Sequence, residues 1–193
     1  MTSRSIYLVR HGRSAHSLRG WHDRRSIERW LRAYEDVGLA EGELPPRPVR
    51  ALAGRVAVVT TSDLRRARES TALLTDEVSV VHVSALLREM RLPIPDVGRL
   101  TLPIPLWAVA IGMHWMRERR RAIGRSPEQE RAHQAALWLG SLAESHGSIL
   151  ALTHSAFRRE LSEALVLDGW TAVGRRSSRP WSVWELTQRS ADT

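Results

Sequence analysis

The stretch Ile6-Tyr7-Leu8-Val9-Arg10-His11-Gly12, close to the first residue of the chain, predicts a buried strand that ends in an abrupt turn. Its first four residues are β-branched, aromatic or aliphatic, which favours a strand, and Gly12 indicates the turn. Arg10 and His11 therefore lie at the carboxyl end of the predicted strand. Ligands bind at that edge of open α/β sheets, so the guanidinium and the imidazole are predicted to face a cleft that suits a phosphate.

Two later segments repeat this organisation. Residues 149–153 predict a second buried strand, which is followed by His154. Residues 56–62 predict a third strand, and residues 63–72 open a helix that contains Arg65, Arg66 and Arg68. Each feature has an ordinary alternative, because His154 suits a core histidine satisfied by backbone groups and the arginines suit a solvated helix face. Their recurrence after three predicted strands favours one shared site.

The rest of the chain alternates predicted strands and helices. Further strands are predicted at residues 79–83 and 182–186, and the second of these ends the sheet. Helices are predicted at residues 26–34, 126–144 and 155–166, and Ser26 is predicted to be the N-cap of the first. This alternation predicts the α/β class, a three-layer α/β/α sandwich with a mostly parallel central sheet. A length of 193 residues, 42% of them hydrophobic, predicts a single domain over residues 1–193.

The composition of the chain excludes some kinds of site and indicates others. The chain has no cysteine, so disulfides and thiolate nucleophiles are excluded. The apolar run before Arg10 is far shorter than a secretory signal, and a cytoplasmic location is expected. His11, His16 and His22 lie five and six residues apart, which does not place them on one helical face. We therefore expect no metal and no cofactor.

Charge also bears on partners. The net charge is +8, and every basic residue apart from histidine is arginine. Arginine clusters occur at residues 117–121 and 175–179, but no helix-turn-helix, zinc-finger or aromatic RNA-binding pattern accompanies them. No nucleic acid is expected as a partner.

Four motifs, in order, resemble the histidine phosphatase superfamily, the group related to phosphoglycerate mutases. Arg10-His11-Gly12 resembles its signature, which implies that His11 is the nucleophile and that Arg10 binds phosphate. Ser62-x-Leu64-x-Arg66-Ala67 resembles the second motif, which implies that Arg66, rather than Arg65 or Arg68, is the second phosphate-binding arginine. The resemblance also implies a phosphoglycerate mutase-like fold.

The third and fourth motifs complete the resemblance. Leu87-Arg88-Glu89 is similar to the motif that carries the general acid, which implies that role for Glu89. The physical chemistry of the residues alone leaves Glu77 and Asp63 open as alternatives. Residues 151–154 resemble the strand that presents the second histidine, so His154 is implied to be a catalytic residue and a phosphate ligand.

These residue types suit phosphoryl transfer. A phosphate monoester carries about −1.5 to −2 charges near neutral pH, and arginine binds two of its oxygens through a planar fork. A neutral His11 offers a ring nitrogen for in-line attack, which gives a phosphohistidine. Glu89 is expected to protonate the leaving oxygen and later to activate water, and a dianion beside it would keep it protonated.

Several positions depart from the family pattern. Arg13 stands where an acidic residue is common, His16-Ser17 where Trp-Asn is frequent, and Ser155 where glycine is common. Together with Gly12, these four residues are candidate substrate contacts. The two cationic replacements favour an anionic or polyphosphorylated substrate.

Residues 91–125 are predicted to be an inserted cover or interface segment. Residues 100–116 are apolar except for Thr101 and His114, which leaves core packing, a pocket or dimer contact, and membrane contact open. The run is shorter than the roughly 20 residues that a membrane span needs, and prolines interrupt its start. A helix from about Pro105 is predicted, a homodimer is one possibility, and no membrane partner is expected.

The sequence thus favours a phosphatase that hydrolyses a small phosphorylated metabolite through a phosphohistidine on His11. A phosphoglycerate mutase-like phosphotransferase is the nearest alternative, because it would use the same residues. A catalytically decayed module that only binds a phosphorylated ligand is the alternative from a different class.

Overall fold

The computed structural model describes residues 3–16, 19–75, 80–121 and 123–189. A single 3-10 turn spans Ala85–Leu87. Along the chain the other elements are β1 (Ser3–Arg10), β2 (Trp21–His22), α1 (Arg24–Glu35), α2 (Arg47–Ala53), β3 (Val58–Ser62), α3 (Arg65–Ala72), β4 (Val80–Ser84), β5 (Leu102–Pro103), α4 (Ile104–Arg121), α5 (Pro127–His146), β6 (Ser148–Thr153), α6 (Phe157–Leu167), β7 (Thr171–Val173) and β8 (Val183–Arg189).

A six-stranded sheet in the order β4-β3-β6-β1-β8-β7 forms the centre of the molecule. The first four of these strands are mutually parallel, whereas β8 runs antiparallel to both β1 and β7. The predicted α/β class and mostly parallel sheet are therefore confirmed. The parallel arrangement matters for the site, because it places the carboxyl ends of β1, β3, β4 and β6 at one edge.

Strand β6 shows why the fold has three layers. Ile149 and Ala151 pack with residues of α5 and α6 on one face of the sheet, whereas Leu150 and Leu152 pack with residues of α2 on the other. All four side chains are fully buried. A strand that is apolar on both faces is typical of a parallel sheet covered by helices on both sides, and the predicted three-layer sandwich is confirmed.

Two details of the structure differ from the sequence prediction. Helix α1 begins at Arg24 with Asp23 as its N-cap, because the Asp23 carboxylate accepts a hydrogen bond from the backbone nitrogen of Ser26 at 2.8 Å. Ser26 is therefore already inside the helix. The edge strand β7 was not predicted, since its three exposed residues give no periodic pattern that a sequence could reveal.

The predicted helix at the apolar segment is confirmed as α4. Before it, β5 pairs with β2 in a two-stranded antiparallel ribbon. Trp107 is 1% exposed, and its indole nitrogen donates to the carbonyl oxygen of His22 at 2.8 Å, which fixes α4 against the ribbon. Among the described helices, none has the length and apolar character to cross a membrane.

Candidate active site

The two predicted histidines lie side by side at the carboxyl edge of the sheet. Strands β1 and β6 are neighbours, with Arg10 paired to Thr153, and the backbone nitrogen of His11 donates to the Thr153 carbonyl at 3.1 Å. The ring centroids of His11 and His154 are consequently only 5.0 Å apart. The structure therefore brings together two side chains separated by most of the sequence.

His11 is held in a state suited to nucleophilic attack. Its Nδ1 lies 2.6 Å from the Gly12 carbonyl oxygen, which can only accept, so Nδ1 carries the proton and Nε2 has a free lone pair. Burial, together with the nearby Arg66 charge, lowers the pKa of His11 from 6.5 to about 3, even though the bond to Gly12 opposes the shift. The ring is thus neutral at physiological pH.

His154 is fully buried, yet its ring makes no hydrogen bond. Neither of its nitrogens has a partner among the residues that the structure describes. Burial lowers the pKa of His154 well below its usual value, and His11 and Arg66 add to the effect. A buried polar ring without a partner costs free energy unless a ligand satisfies it, so the predicted alternative of a backbone-satisfied core histidine does not fit this geometry.

Arg10 and Arg66 supply positive charge to the same place. Both guanidiniums lower the pKa of His11 and of His154. Arg66 is 1% exposed; it donates to the Tyr34 carbonyl at 2.7 Å and lies 4.2 Å over the Tyr34 ring. Arg10 donates to the Ser178 carbonyl. In both arginines the Nε–H is buried and unpartnered within the described chain, which leaves donors available to an anion.

Glu89 lies at the same edge of the sheet, after β4. Its carboxylate accepts hydrogen bonds from the backbone nitrogens of Phe157 at 2.8 Å, Met90 at 3.0 Å and Ala156 at 3.3 Å. Burial lowers the pKa of Arg66, and Glu89 is near enough to the cluster to oppose this shift. These bonds fix the carboxylate beside the segment that follows His154.

The structure describes one of the two alternative candidates for the general acid, Asp63, and not the other, Glu77. Asp63 is engaged by Arg88, whose Nε and Nη2 donate to its two oxygens at 2.7 and 2.6 Å. Glu77 lies outside the described residues. Of the three carboxylates, Glu89 is the one that the described structure joins to the segment directly after His154.

The other predicted substrate contacts differ from one another in their exposure and in their partners. Arg13 is exposed and pairs with Glu43 at 3.3 Å. His16 stacks on Trp30 with ring centroids 5.5 Å apart, and its Nε2 is buried without a partner in the described structure. Ser155 is half-buried directly after His154, and Ser17 lies outside the described residues.

Gly12 is required for close packing at the signature turn. A Cβ atom there would lie 2.8 Å from the ring of Trp181. Trp181 adopts a φ of 60°, an uncommon value for a residue with a side chain, and its indole nitrogen donates to Glu43 at 2.8 Å. The sequence analysis did not find Trp181, since no local pattern indicates this backbone conformation.

Arg158 is the main residue that the sequence analysis missed. It is fully buried in α6, and its guanidinium donates to the carbonyls of Ser182 at 2.5 Å and Ser177 at 2.7 Å and to the Ser182 hydroxyl at 3.0 Å. Burial and the nearby Arg10 charge lower its pKa to about 9. Its position one helical turn after His154 was the available signal.

The known proteins that are similar to this chain are similar in structure. No family model matches the sequence, and no curated protein matches it. Three similar solved structures are mycobacterial hydrolase 2 (TM-score 0.61, 19% identity, 100% of this chain and 85% of that one), a mycobacterial glucosyl-3-phosphoglycerate phosphatase (0.54, 18%, 96% and 90%) and a phosphoserine phosphatase from Entamoeba histolytica (0.53, 17%, 85% and 80%). At this identity the likeness shows the fold alone, and it is the phosphoglycerate mutase-like fold that the sequence resemblance implied.

Proposed function

We propose that this protein is a phosphomonoesterase that hydrolyses a small phosphorylated metabolite through a phosphohistidine on His11. One observation carries the proposal: two neutral, buried imidazoles lie 5.0 Å apart, near the charges of Arg10 and Arg66, and several nitrogens of these four side chains lack partners in the described chain. A tetrahedral dianion would accept hydrogen bonds from these donors and neutralise the arginine charge. The fold supports the proposal, since two of the similar structures are named as phosphatases.

In the first step, Nε2 of His11 attacks phosphorus as the bond from phosphorus to the ester oxygen breaks. The Nδ1–H bond to the Gly12 carbonyl stabilises the positive charge that the phosphorylated ring acquires. Arg10 and Arg66 hold the phosphoryl oxygens, and His154 donates to one of them from a ring nitrogen. Glu89, in its protonated form, gives its proton to the leaving oxygen.

In the second step, Glu89 takes a proton from water as the water oxygen bonds to phosphorus. The bond between phosphorus and Nε2 breaks, and its electron pair returns to the ring. Inorganic phosphate and neutral His11 result. Because the Nδ1 proton never leaves the ring, the enzyme is restored in the tautomer that began the cycle.

The segment at residues 91–125 fits the role of a cover in this proposal. In the ribbon, β2, which comes after the signature loop along the chain, pairs with β5 of this segment, and Trp107 of α4 donates to the carbonyl of His22 in β2. We propose accordingly that the chain is one domain over residues 1–193, with this segment inserted over the site, and that it acts in the cytoplasm.

Hydrolysis of p-nitrophenyl phosphate by purified protein tests the proposed function. His11→Ala is expected to lower kcat by at least about a thousandfold, since the nucleophile is removed. His146→Ala, at an exposed position on α5, is the control and is expected to keep the wild-type rate. A His11→Ala variant with a native circular dichroism spectrum and a near-normal rate would refute the nucleophile, and an inactive wild type on a panel of phosphorylated metabolites would favour the binding module.

A further inference from the structure

The outward side of α4 carries an apolar stripe that no described part of the chain covers. Leu106, Val109, Met113 and Met116 are 50%, 55%, 62% and 45% exposed. Their spacing of three, four and three residues places them on one side of the helix. Trp107, on the opposite side, is buried, so core packing, one of the three alternatives that the sequence left open, describes only one face of the segment.

The ribbon directly before α4 also exposes apolar side chains. Trp21 is 69% exposed and pairs in β2 with Pro103, directly before α4. Leu100, just before β5, is 62% exposed. We call the six side chains the α4 patch: Trp21, Leu100, Leu106, Val109, Met113 and Met116. Several large apolar side chains exposed on one helix face and on the strand that leads into it indicate an interaction site.

Both ends of the α4 patch are basic. Exposed arginines lie at the helix end, where Arg117 and Arg120 follow Met113 and Met116 by one turn, and at the ribbon end. The exposed acids near the patch are fewer, namely Asp96, which is 3.7 Å from Arg24, and Glu118. The exposed arginines at the two ends are Arg19, Arg25, Arg99, Arg117, Arg120 and Arg121.

The charges around the α4 patch indicate which class of partner it binds. A second copy of the chain would bring the basic ends of one α4 patch against those of another, and this repulsion is unfavourable in a protein of net charge +8. A nucleic acid would satisfy the arginines but not the apolar stripe. An anionic lipid surface satisfies both, because its phosphates attract the arginines and its acyl chains accept the apolar side chains.

We propose that the α4 patch docks this protein on an anionic membrane surface, with α4 lying in the plane of the interface. Met113 and its neighbours enter the upper acyl region, Trp21 lies at the headgroup level, and the arginines contact lipid phosphates. From the sequence we expected no membrane partner, because residues 100–116 are too short to span a bilayer. Surface docking requires only exposed side chains, and it is independent of the proposed phosphatase activity.

Sedimentation with sucrose-loaded vesicles tests the proposal. The wild type is expected to pellet with vesicles of phosphatidylcholine mixed with phosphatidylglycerol, and to remain in the supernatant with phosphatidylcholine alone. Binding should weaken as salt is added, since ions screen the attraction. A wild type that stays in the supernatant with the anionic vesicles at low salt would overturn the proposal.

Variants separate the apolar and the basic contributions. The triple variant Arg117→Gln, Arg120→Gln, Arg121→Gln is expected to weaken binding roughly a hundredfold, because each arginine near an anionic surface contributes roughly a factor of five. Met113→Asp is expected to abolish binding. Leu137→Asp, at a 56% exposed position on α5, is the matched control and is expected to bind as the wild type does.

Three results would count against the membrane as the partner. The first is binding by Met113→Asp equal to that of the wild type, with the variant folded by circular dichroism. The second is equal loss of binding by Leu137→Asp. The third is a wild type that sediments as a dimer in analytical ultracentrifugation and becomes monomeric on Met113→Asp without binding vesicles, which would assign the α4 patch to a second copy of the chain.

Discussion

Arg66 serves both the fold and the candidate site. One of its terminal nitrogens is bound to the last turn of α1 through the Tyr34 carbonyl, while its Nε–H remains without a partner in the described chain. Lysine would keep the charge but lose the planar fork. Arg66→Lys is expected to raise KM and the inhibition constant for inorganic phosphate roughly a hundredfold, the cost of losing a charge-assisted hydrogen bond.

Arg65 provides the matched control. Its side chain is 68% exposed and pairs with Glu69 at 2.7 Å on the surface of α3. Arg65→Lys is expected to leave both constants unchanged in the same assays. Equal effects of the two substitutions would contradict the assignment of phosphate binding to Arg66.

Glu89 is predicted to act through proton donation. Glutamine preserves its size but supplies no acidic proton, so Glu89→Gln is expected to slow alkyl phosphates by roughly a hundredfold or more while p-nitrophenyl phosphate is affected far less. The difference arises because p-nitrophenolate leaves without protonation. Comparing kcat/KM for the two substrate types measures it, and equal losses on both would show that Glu89 is not the acid.

The depressed pKa of His11 makes stability depend on pH. Below pH 6.5 the unfolded chain protonates His11, whereas the folded chain does not until about pH 3. Stability therefore falls as pH decreases through this window, by roughly 2 kcal/mol from His11 alone between neutral pH and pH 5. Urea unfolding at pH 7 and pH 5 should show a smaller decrease for His11→Asn than for the wild type.

Residue identities at the site were partly predictable. The two histidines and Arg10 lie at the carboxyl ends of predicted strands, so their shared edge followed from the geometry of parallel sheets. The role of Glu89 was implied by the family resemblance. Arg158 was not predictable in this way, because a buried arginine and a solvated one look alike in a helical sequence. Arg13 was predicted as a substrate contact, but its ion pair with Glu43, a partner from another loop, could not be foreseen from the local pattern.

At the scale of elements, α6 organises the segment before β8 through Arg158. The guanidinium binds the carbonyls of Ser177 and Ser182, and Arg10 binds the carbonyl of Ser178 between them. Arg158 is therefore a positioning residue, which fixes the loop that in turn orients Arg10.

Removing this guanidinium should cost both stability and substrate affinity. Arg158→Met is expected to lower the free energy of unfolding by roughly 3 kcal/mol, because buried carbonyls lose their donor. KM should rise more than kcat falls. Arg159→Met, at the adjacent exposed position, is the control; if urea unfolding and kinetics gave the same values for both variants, the positioning role would be wrong.

Elements with strong patterns were predicted well, and weak ones were not. Helix α5 was predicted to begin at Ser126, and Ser126 is its N-cap, since Ser126 and Gln129 form a reciprocal capping box and Pro127 occupies the first turn. Strand β7 has three exposed residues and depends on pairing with β8, a contact that a local sequence window does not contain. The N-cap of α1 was misplaced because Asp23 and Ser26 are both good capping residues.

At the scale of the whole molecule, the strand order decides the chemistry. Strand β6 inserts between β3 and β1, which places His154 beside His11 and opposite the helix that carries Arg66. The family resemblance implied this arrangement, but the composition and periodicity of the chain did not. Long-range pairing is set by packing over the entire sheet, so the sequence could predict the strands more reliably than their neighbours.

The central claim is that these scattered groups converge to transfer a phosphoryl group onto His11. Rapid alkaline quench after mixing with radiolabelled p-nitrophenyl phosphate, followed by peptide mapping, tests it most directly. We predict an alkali-stable, acid-labile label on the peptide that contains His11, and no label in His11→Ala. A wild type that turns over substrate but carries its label on another residue, or carries none during a burst of product, would contradict the account.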